Sequence, residues 1–404
     1  MHKLISYTDA RDTLLNLTKP IETENVTLKN CLGRIIGQNV IAAENVPPFD
    51  RSPYDGYAFR AADTVNATRE HPVTLRILEE VSAGATAKGA VTEGCAVKIL
   101  TGAAIPEGAD AVTMFELTEY TDETVTIFSP SESGSNIVKI GEDVKKGDIL
   151  AERGTLIDPG LAGTLASQNI KEPEVYRCPK IGIISTGSEL LEVGEELVPG
   201  KIYNSNQYML SAAFEGLGCE SVILGMAKDC TEEICELILQ GLKECDALFL
   251  TGGVSVGDYD LTPDAMEMAD VEILFRGVNL KPGMACAYGI KEGKLVCGLS
   301  GNPASSITNF YAIAYPAVRK LCGYKKFLPD EITVRLADGF TRKSRGTRIL
   351  RGKLELIDGI VRMRVPKEQG NVVLSSTIGC NVMAIVPAGS GPLSPDTELK
   401  GFLI

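Results

Sequence analysis

Hydrophobic positions along this chain change their spacing twice, and the changes divide it into three textures. Up to residue 176 they come in short alternating runs. Residues 73–81, 96–100, 111–117 and 124–128 read as strands separated by turns. A helix precedes them: Ser6 stands three residues ahead of Asp9, Leu14, Leu15 and Leu17 follow, and Pro20 stops it. Residues 26–41 alternate around Gly33 and Gly37 and predict further short strands. Pro47, Pro48 and Pro53 forbid helix and predict a stiff, extended connector that ends at the turn former Asp55-Gly56. Beyond it the strands, with a long small-residue loop at 99–110, read as a β-domain inserted into the first one. Asp158-Pro159 predicts a helix to Asn169 that closes the split domain.

Between residues 180 and 323, buried apolar runs alternate with amphipathic stretches. Strands are expected at 181–184, 221–224, 247–250, 271–275, 285–288 and 295–298. Asn206 is read as starting one helix, with Met209, Leu210, Ala213, Phe214 and Leu217 on its inner face. Asp229 is read as capping the next, with Glu232 at its third position and Ile234, Leu237, Ile238 and Leu242 inward. Thr262-Pro263 supplies a cap and first position for a third helix. Pro303 opens a long fourth, with a kink expected at Pro316 and a stop at Gly323. Strand–helix alternation predicts a doubly wound α/β domain. From residue 332 the chain is β again, with turns at Asp338-Gly339 and Asp358-Gly359. It carries a basic run, Arg335, Arg342, Lys343, Arg345, Arg348, Arg351 and Lys353, whose plainest reading is a solvated face.

Composition narrows the functional classes. A chain of 404 residues exceeds one hydrophobic core, so several domains are expected. A net charge of −13 argues against a broad nucleic-acid surface. No run is long enough to span a bilayer, and the N-terminus lacks a secretory apolar stretch. Eleven cysteines are scattered singly without a CxxC, and the histidines are only His2 and His71. The cysteines therefore read as small buried hydrophobes in a reducing cytoplasm, and neither zinc nor histidine acid–base chemistry is expected. What remains is Asp, Glu, Lys, Ser and a metal ion.

The richest stretch is 246–260, D-A-L-F-L-T-G-G-V-S-V-G-D-Y-D. A buried strand ends at Gly252-Gly253, Ser255 and Gly257 follow, and Asp258 and Asp260 come next. Glycines there bring backbone N–H groups close to an anion, and strand C-terminal ends are where open α/β sheets bind ligands. Two more loops stand at strand ends: Thr186-Gly187-Ser188-Glu189, and Ser300-Gly301-Asn302-Pro303 at a helix N-terminus. Lys281-Pro282-Gly283 adds a cation. Carboxylates facing a phosphate cradle repel the ligand unless a cation stands between, which implies Mg²⁺. No Walker lysine or GxGxxG is present, which disfavours nucleoside-triphosphatase and dinucleotide-dehydrogenase readings.

These motifs together resemble the MoeA family, the molybdopterin molybdenumtransferases, whose animal relative is the C-terminal part of gephyrin. The resemblance runs over S-P-Y-D-G-Y-A at 52–58, I-L-T-G-A-A-I-P-E-G-A-D at 99–110 and S-T-G-S-E-L at 185–190. It continues through the 252–260 loop, K-P-G at 281–283 and S-G-N-P at 300–303. It implies a split, elongated domain (1–45 and 141–176) with an inserted β-domain (46–140). An α/β molybdopterin-binding domain (177–326) and a C-terminal β-barrel (327–404) follow. It further implies a homodimer in which the inserted domain of one subunit leans over the cleft of the other. The implied reaction inserts molybdate into adenylylated molybdopterin, with Mg²⁺-dependent release of AMP. A molybdopterin adenylyltransferase and molybdoenzyme-maturation proteins are the implied partners. The alternatives are a gephyrin-like scaffold, the adenylylation step itself, or a preference for tungstate.

Position by position, the resemblance makes Asp55 and Thr101 the acid and hydroxyl of the inserted-domain motifs. It makes Glu189 and Asp260 the carboxylates at the metal, Asp229 an acid after the second strand, and Lys281 the lysine of the K-P-G loop. Many members read K-P-G-K, and here the fourth residue is Met284. Arg345 and Arg348 are candidate replacements for that cation, and otherwise Met284 fills a gap in the core. Ser375 and Ser376 fall in a barrel loop that the family places near the oxyanion.

Overall fold

The computed structural model describes residues 4–254 and 261–404, and the chain divides into two compact units. One covers 39–152 and 159–171. Among its described residues, six strands run in the order Ala111–Met114, Gly56–Phe59, Cys95–Ile99, Val73–Val81, Thr124–Ile127 and Thr118–Tyr120. Gly56–Phe59 is buried throughout. Tyr57 and Phe59 pack with Leu75, Ala111 and Ile127 on one face, and Ala58 packs with Val81, Val97 and Val112 on the other. Asp55-Gly56 does not make the expected turn, because Gly56 is already strand. A Cβ there would lie 1.8 Å from the carbonyl oxygen of Thr113, so backbone proximity demands the glycine. In the same unit Val40–Ile41 pairs with Ile149–Ala151, and the Gln168 side chain accepts from the Ala43 and Glu44 amides at 2.8 and 3.0 Å. That ties the helix Pro159–Ser167 to the segment before the connector.

The other unit covers residues up to 38, 153–158 and 172–404. Helix α1 (Tyr7–Leu17) opens as expected, with Ser6 Oγ accepting from the Asp9 amide at 3.0 Å. The α/β part follows as β1 (Lys180–Thr186), α2 (Ser205–Glu215), β2 (Glu220–Ala227), α3 (Thr231–Glu244) and β3 (Ala247–Thr251). Next come α4 (Leu261–Met268), β4 (Glu272–Arg276), β5 (Cys286–Lys291), β6 (Lys294–Leu299), α5 (Pro303–Asn309) and α6 (Tyr315–Leu321). The sheet order among the described residues is β2-β1-β3-β6-β5-β4. The first four strands are parallel, and β5 runs antiparallel to both β6 and β4, so the doubly wound core is extended by an antiparallel pair. Phe310 packs edge to face with both Phe214 and Phe249, which are tilted to each other, with ring centroids 4.7–5.9 Å apart.

Three helix starts differ from the sequence reading. Asn204, not Asn206, caps α2, accepting from the Gln207 amide. Cys230 occupies the cap position of α3, so Asp229 is free of that duty. Thr262 lies inside α4, its hydroxyl donating to the Gly252 carbonyl at 2.9 Å. The long last helix breaks one turn earlier than its proline. Residues Phe310–Ala314 form a π-helical turn between α5 and α6, and Pro316, which has no N–H to donate, follows directly.

The C-terminal strands are β7 (Glu331–Arg335), β8 (Arg348–Ile357), β9 (Ile360–Arg364), β10 (Val382–Val386) and β11 (Glu398–Leu403). They run in the order β7-β11-β10-β8-β9. A bridge between Leu336 and Met363, with the Ala337 amide donating to the Met363 carbonyl at 2.9 Å, brings β9 back to β7 and curls the sheet into a barrel. No helix among the described residues is long and apolar enough to cross a membrane.

Candidate functional site

Because β1, β3 and β6 are adjacent and parallel, the loops after them leave from one edge of the sheet. Their backbones interlock there. The Thr186 hydroxyl donates to the Thr251 carbonyl at 3.3 Å, and the Gly252 amide donates to the Leu299 carbonyl at 3.0 Å. Gly252 has φ +105°, and a Cβ on it would sit 2.3 Å from the Thr186 carbonyl oxygen. The Asn206 side chain donates to the Gly301 carbonyl at 2.8 Å, which ties the third loop to α2. Thr186, Gly187, Ser188, Gly252, Gly253, Ser300, Gly301, Asn302 and Pro303 are thus brought to one edge. Ser255, Gly257, Asp258 and Asp260 lie outside the described residues.

Freed from capping, Asp229 turns to the first loop. Its carboxylate accepts from the Ser188 amide at 3.1 Å, and its own amide donates to the Ser188 hydroxyl at 3.2 Å. Glu189 follows Ser188 and is exposed, so two carboxylates flank one short loop. Among the described residues no group of three His, Cys, Asp or Glu side chains could hold a metal by itself. The exposed Glu189 carboxylate is a hard oxygen donor of the kind that suits Mg²⁺, which dehydrates reluctantly and is seldom caged by protein alone, while Asp260, the other expected donor, lies outside the described residues.

A second region lies where the K-P-G loop meets the barrel. The Lys281 amide donates to the Thr347 carbonyl at 3.0 Å, and the Ile349 amide donates to the Lys281 carbonyl at 2.9 Å. These bonds join the loop to the start of β8. A cavity of about 380 Å³ opens there, lined by Lys281, Met284, Ser300, Asn302, Ser305 and Asn371 among others, with Pro282 and Gly283 in its wall. Met284 is 50% exposed and precedes β5, so it does not fill the core.

The basic run is not uniformly solvated. Arg345 is exposed, but Arg348 is buried, its Nε donating to Ser344 Oγ at 3.0 Å and its guanidinium lying over the Phe340 ring. Arg351, absent from the expected site, is 0% exposed. Its Nη2 donates to Ser376 Oγ at 2.9 Å and its Nη1 to Thr308 Oγ1 at 3.3 Å. Among the described residues its Nε has no partner, and no salt bridge to a carboxylate is found. Burial pushes its pKa down to about 10, so it is still charged at neutral pH. Ser376 is buried beside it, and Ser375 is exposed. The available sequence signal for Arg351 is its place between the uncharged Leu350 and Gly352, in a stretch that is buried from Arg348 to Gly352.

In the other unit, Asp55 Oδ1 accepts from the Thr101 hydroxyl at 2.7 Å and from the Thr101 amide at 2.6 Å. These bonds hold the Asp55 carboxyl below the usual carboxylate range. Residues 46 positions apart therefore form one exposed corner.

Comparison with known proteins adds the following. Residues 5–168 match the family described as MoeA N-terminal region (domain I and II), and residues 182–320 match a probable molybdopterin binding domain. A Staphylococcus aureus protein named molybdopterin molybdenumtransferase is 35% identical over 95% of this chain and 91% of its own length. A Staphylococcus epidermidis protein of the same name is 35% identical over 96% and 92%. The crystal structure of the molybdopterin biosynthesis moeA protein from Pyrococcus horikoshii OT3 superposes with a TM-score of 0.86. It is 33% identical and covers 100% of both chains.

Proposed function

This chain belongs to the MoeA family, and on that premise we propose that it is a molybdopterin molybdenumtransferase of molybdenum-cofactor biosynthesis. It takes adenylylated molybdopterin and molybdate: the dithiolene sulfurs displace oxo oxygen from molybdate, the oxygen leaving as water with the thiol protons, and water cleaves the phosphoanhydride to release AMP and leave a phosphate on the pterin. The observation that carries this reading is identity sustained over 95% of the chain with a relative of that name. The site is consistent with it in chemistry: strand-end N–H groups for phosphates, and Lys281 in the cavity wall for a doubly charged oxyanion, with Arg351 buried close in sequence to Arg348, the barrel partner of Lys281, and held by Ser376 and Thr308.

Glu189 and Asp260 are the residues proposed to hold Mg²⁺, with Asp229 keeping the Ser188 loop in place beside Glu189. When bound, Mg²⁺ supplies neutralisation of phosphate charge. The chain's own groups bind and orient. The Gly301 amide stands at the ligand edge, Lys281 lines the cavity with its positive charge, and Arg351 holds its guanidinium against Ser376. We further propose a homodimer in which the Asp55–Thr101 corner of one subunit serves the cleft of the other. Mixed dimers of Asp55→Ala and Glu189→Ala chains then regain one working site, while both parent homodimers stay inactive. Since the substrate is adenylylated, an adenylyltransferase must supply it.

The deciding experiment incubates purified protein with adenylylated molybdopterin, Mg²⁺ and molybdate, with a parallel arm in tungstate. Oxyanion-dependent AMP release supports the reading. Release of AMP at the same rate without any oxyanion contradicts it, and faster turnover in tungstate reassigns the metal.

A further inference from the structure

Asn309 is the last residue of α5, at the point where the helix widens into its π turn, and it is 0% exposed. Its Nδ2 donates to the Gly283 carbonyl at 2.7 Å. A carbonyl can only accept, which fixes the orientation of the amide. Oδ1 therefore accepts from the Tyr288 hydroxyl, itself fully buried in β5. Both hydrogen-bonding faces of the side chain are committed, and neither partner can turn to water instead. Gly283 takes φ +103°, and a Cβ there would lie 3.1 Å from the Asn309 Cβ and 3.2 Å from the Ser305 carbonyl oxygen. The loop thus rests directly on α5, with Lys281 two residues away.

The preceding residue, Thr308, faces the other cation. Its Oγ1 accepts from Arg351 Nη1 at 3.3 Å while donating to the Ala304 carbonyl at 2.6 Å. Two consecutive residues of one helix therefore contact the two positively charged elements. Thr308 touches the guanidinium itself, and Asn309 touches the backbone that carries the lysine.

We propose that Asn309 is a positioning residue, fixing the Lys281-Pro282-Gly283 loop relative to Arg351 through the Gly283 carbonyl and thereby setting oxyanion affinity. The inference rests on the reading of Lys281 as an oxyanion ligand. Losing the bond lets the loop rise off α5 without changing any group that meets the phosphates. Its signature is a change in molybdate dependence at a nearly constant limiting rate.

The test compares Asn309→Leu and the milder Tyr288→Phe, each alone and combined with Lys281→Ala. AMP release is measured against molybdate concentration. Asn309→Leu is expected to raise the half-saturating molybdate about tenfold, and Tyr288→Phe about threefold, with limiting rates within about twofold of the parent. In the Lys281→Ala background both effects should largely vanish, because the residue whose position they control is gone. Full additivity with Lys281→Ala, or a fall in limiting rate at unchanged molybdate dependence, overturns the proposal while leaving Lys281 as a ligand. If Lys281→Ala itself leaves the molybdate dependence unchanged, the reading of the lysine fails and this inference fails with it. Should Asn309→Leu not fold, the Tyr288→Phe cycle decides alone by the same criteria.

Discussion

At the strand-end edge, Glu189 and Asp229 hold their carboxylates in exposed loops, whereas at the barrel corner Arg351 is fully buried with Ser376 and Thr308 for company. The first arrangement leaves acidic oxygens hydrated and ready to share a cation with incoming phosphates. The second keeps a guanidinium dehydrated and, among the described residues, short of a counter-charge. An unpaired buried charge is costly to a fold, and the cost is recovered when an anion arrives. On the proposed function, we assign the nucleotide end of the substrate to the edge and the oxyanion to the corner, a division of labour within one unit.

The largest expected effect falls on the edge. Glu189→Gln should lower AMP release by about 10²–10³ at saturating molybdate while leaving the molybdate dependence in place. Stopped assays across Mg²⁺ concentrations measure it, and an unchanged rate removes Glu189 from the metal. At the corner, Arg351→Met should raise the half-saturating molybdate about tenfold or more, the value of a charge-assisted contact of roughly 1.5–3 kcal/mol. Because the guanidinium has no carboxylate partner among the described residues, the same substitution should not lower the melting temperature by more than a few degrees. A large loss of stability with unaltered molybdate dependence would make Arg351 a structural residue.

Met284→Lys sharpens the comparison by adding charge to the corner. The side chain is half exposed, so the gain is that of a solvated contact, about 0.2–1 kcal/mol, or a fall in half-saturating molybdate of up to about fivefold. Thermal unfolding should not change, since no core space is disturbed. The smallest effect concerns Asp55. Its folded-state pKa lies below the unfolded value, so its contribution is present above the unfolded value and is lost as pH falls through the depressed one. Thr101→Val removes the hydroxyl donor and keeps the amide. The Asp55 carboxyl should then titrate higher, part of the way to its ordinary range, as followed by carboxyl-carbon NMR.

The strand-end loops of the edge are legible in the sequence; at the corner Lys281 and, through the family resemblance, Ser376 are legible too, whereas Arg351 is not, and the reason is physical. Strand-end loops announce themselves locally. Thr251-Gly252-Gly253 must end a buried strand, and Ser300-Gly301-Asn302-Pro303 must begin a helix, whatever the rest of the chain does. The α/β alternation and the strand run 73–81 were equally local and are present in the structure. Arg351 looked like one more charge in a basic run, because its burial is created by α5 and by the loop bearing Ser376, far away in sequence. Asp229 reads both as a cap and, by resemblance, as a site acid, and only its cap reading fails, for the converse reason. An acid just before a helix has a strong local explanation, and only the fold shows that Cys230 takes that place while Asp229 answers Ser188. Asn309 gives no signal of its own, since its two partners meet only when β5, the K-P-G loop and α5 are assembled.

The division of labour is tested most directly by one paired titration. AMP release is measured over a grid of Mg²⁺ and molybdate concentrations for the parent protein, Glu189→Gln and Arg351→Met. The account predicts that Glu189→Gln changes the Mg²⁺ dependence and limiting rate alone, and that Arg351→Met changes the half-saturating molybdate alone. If both substitutions move the same parameter, the edge and the corner are one undivided site and the account is wrong.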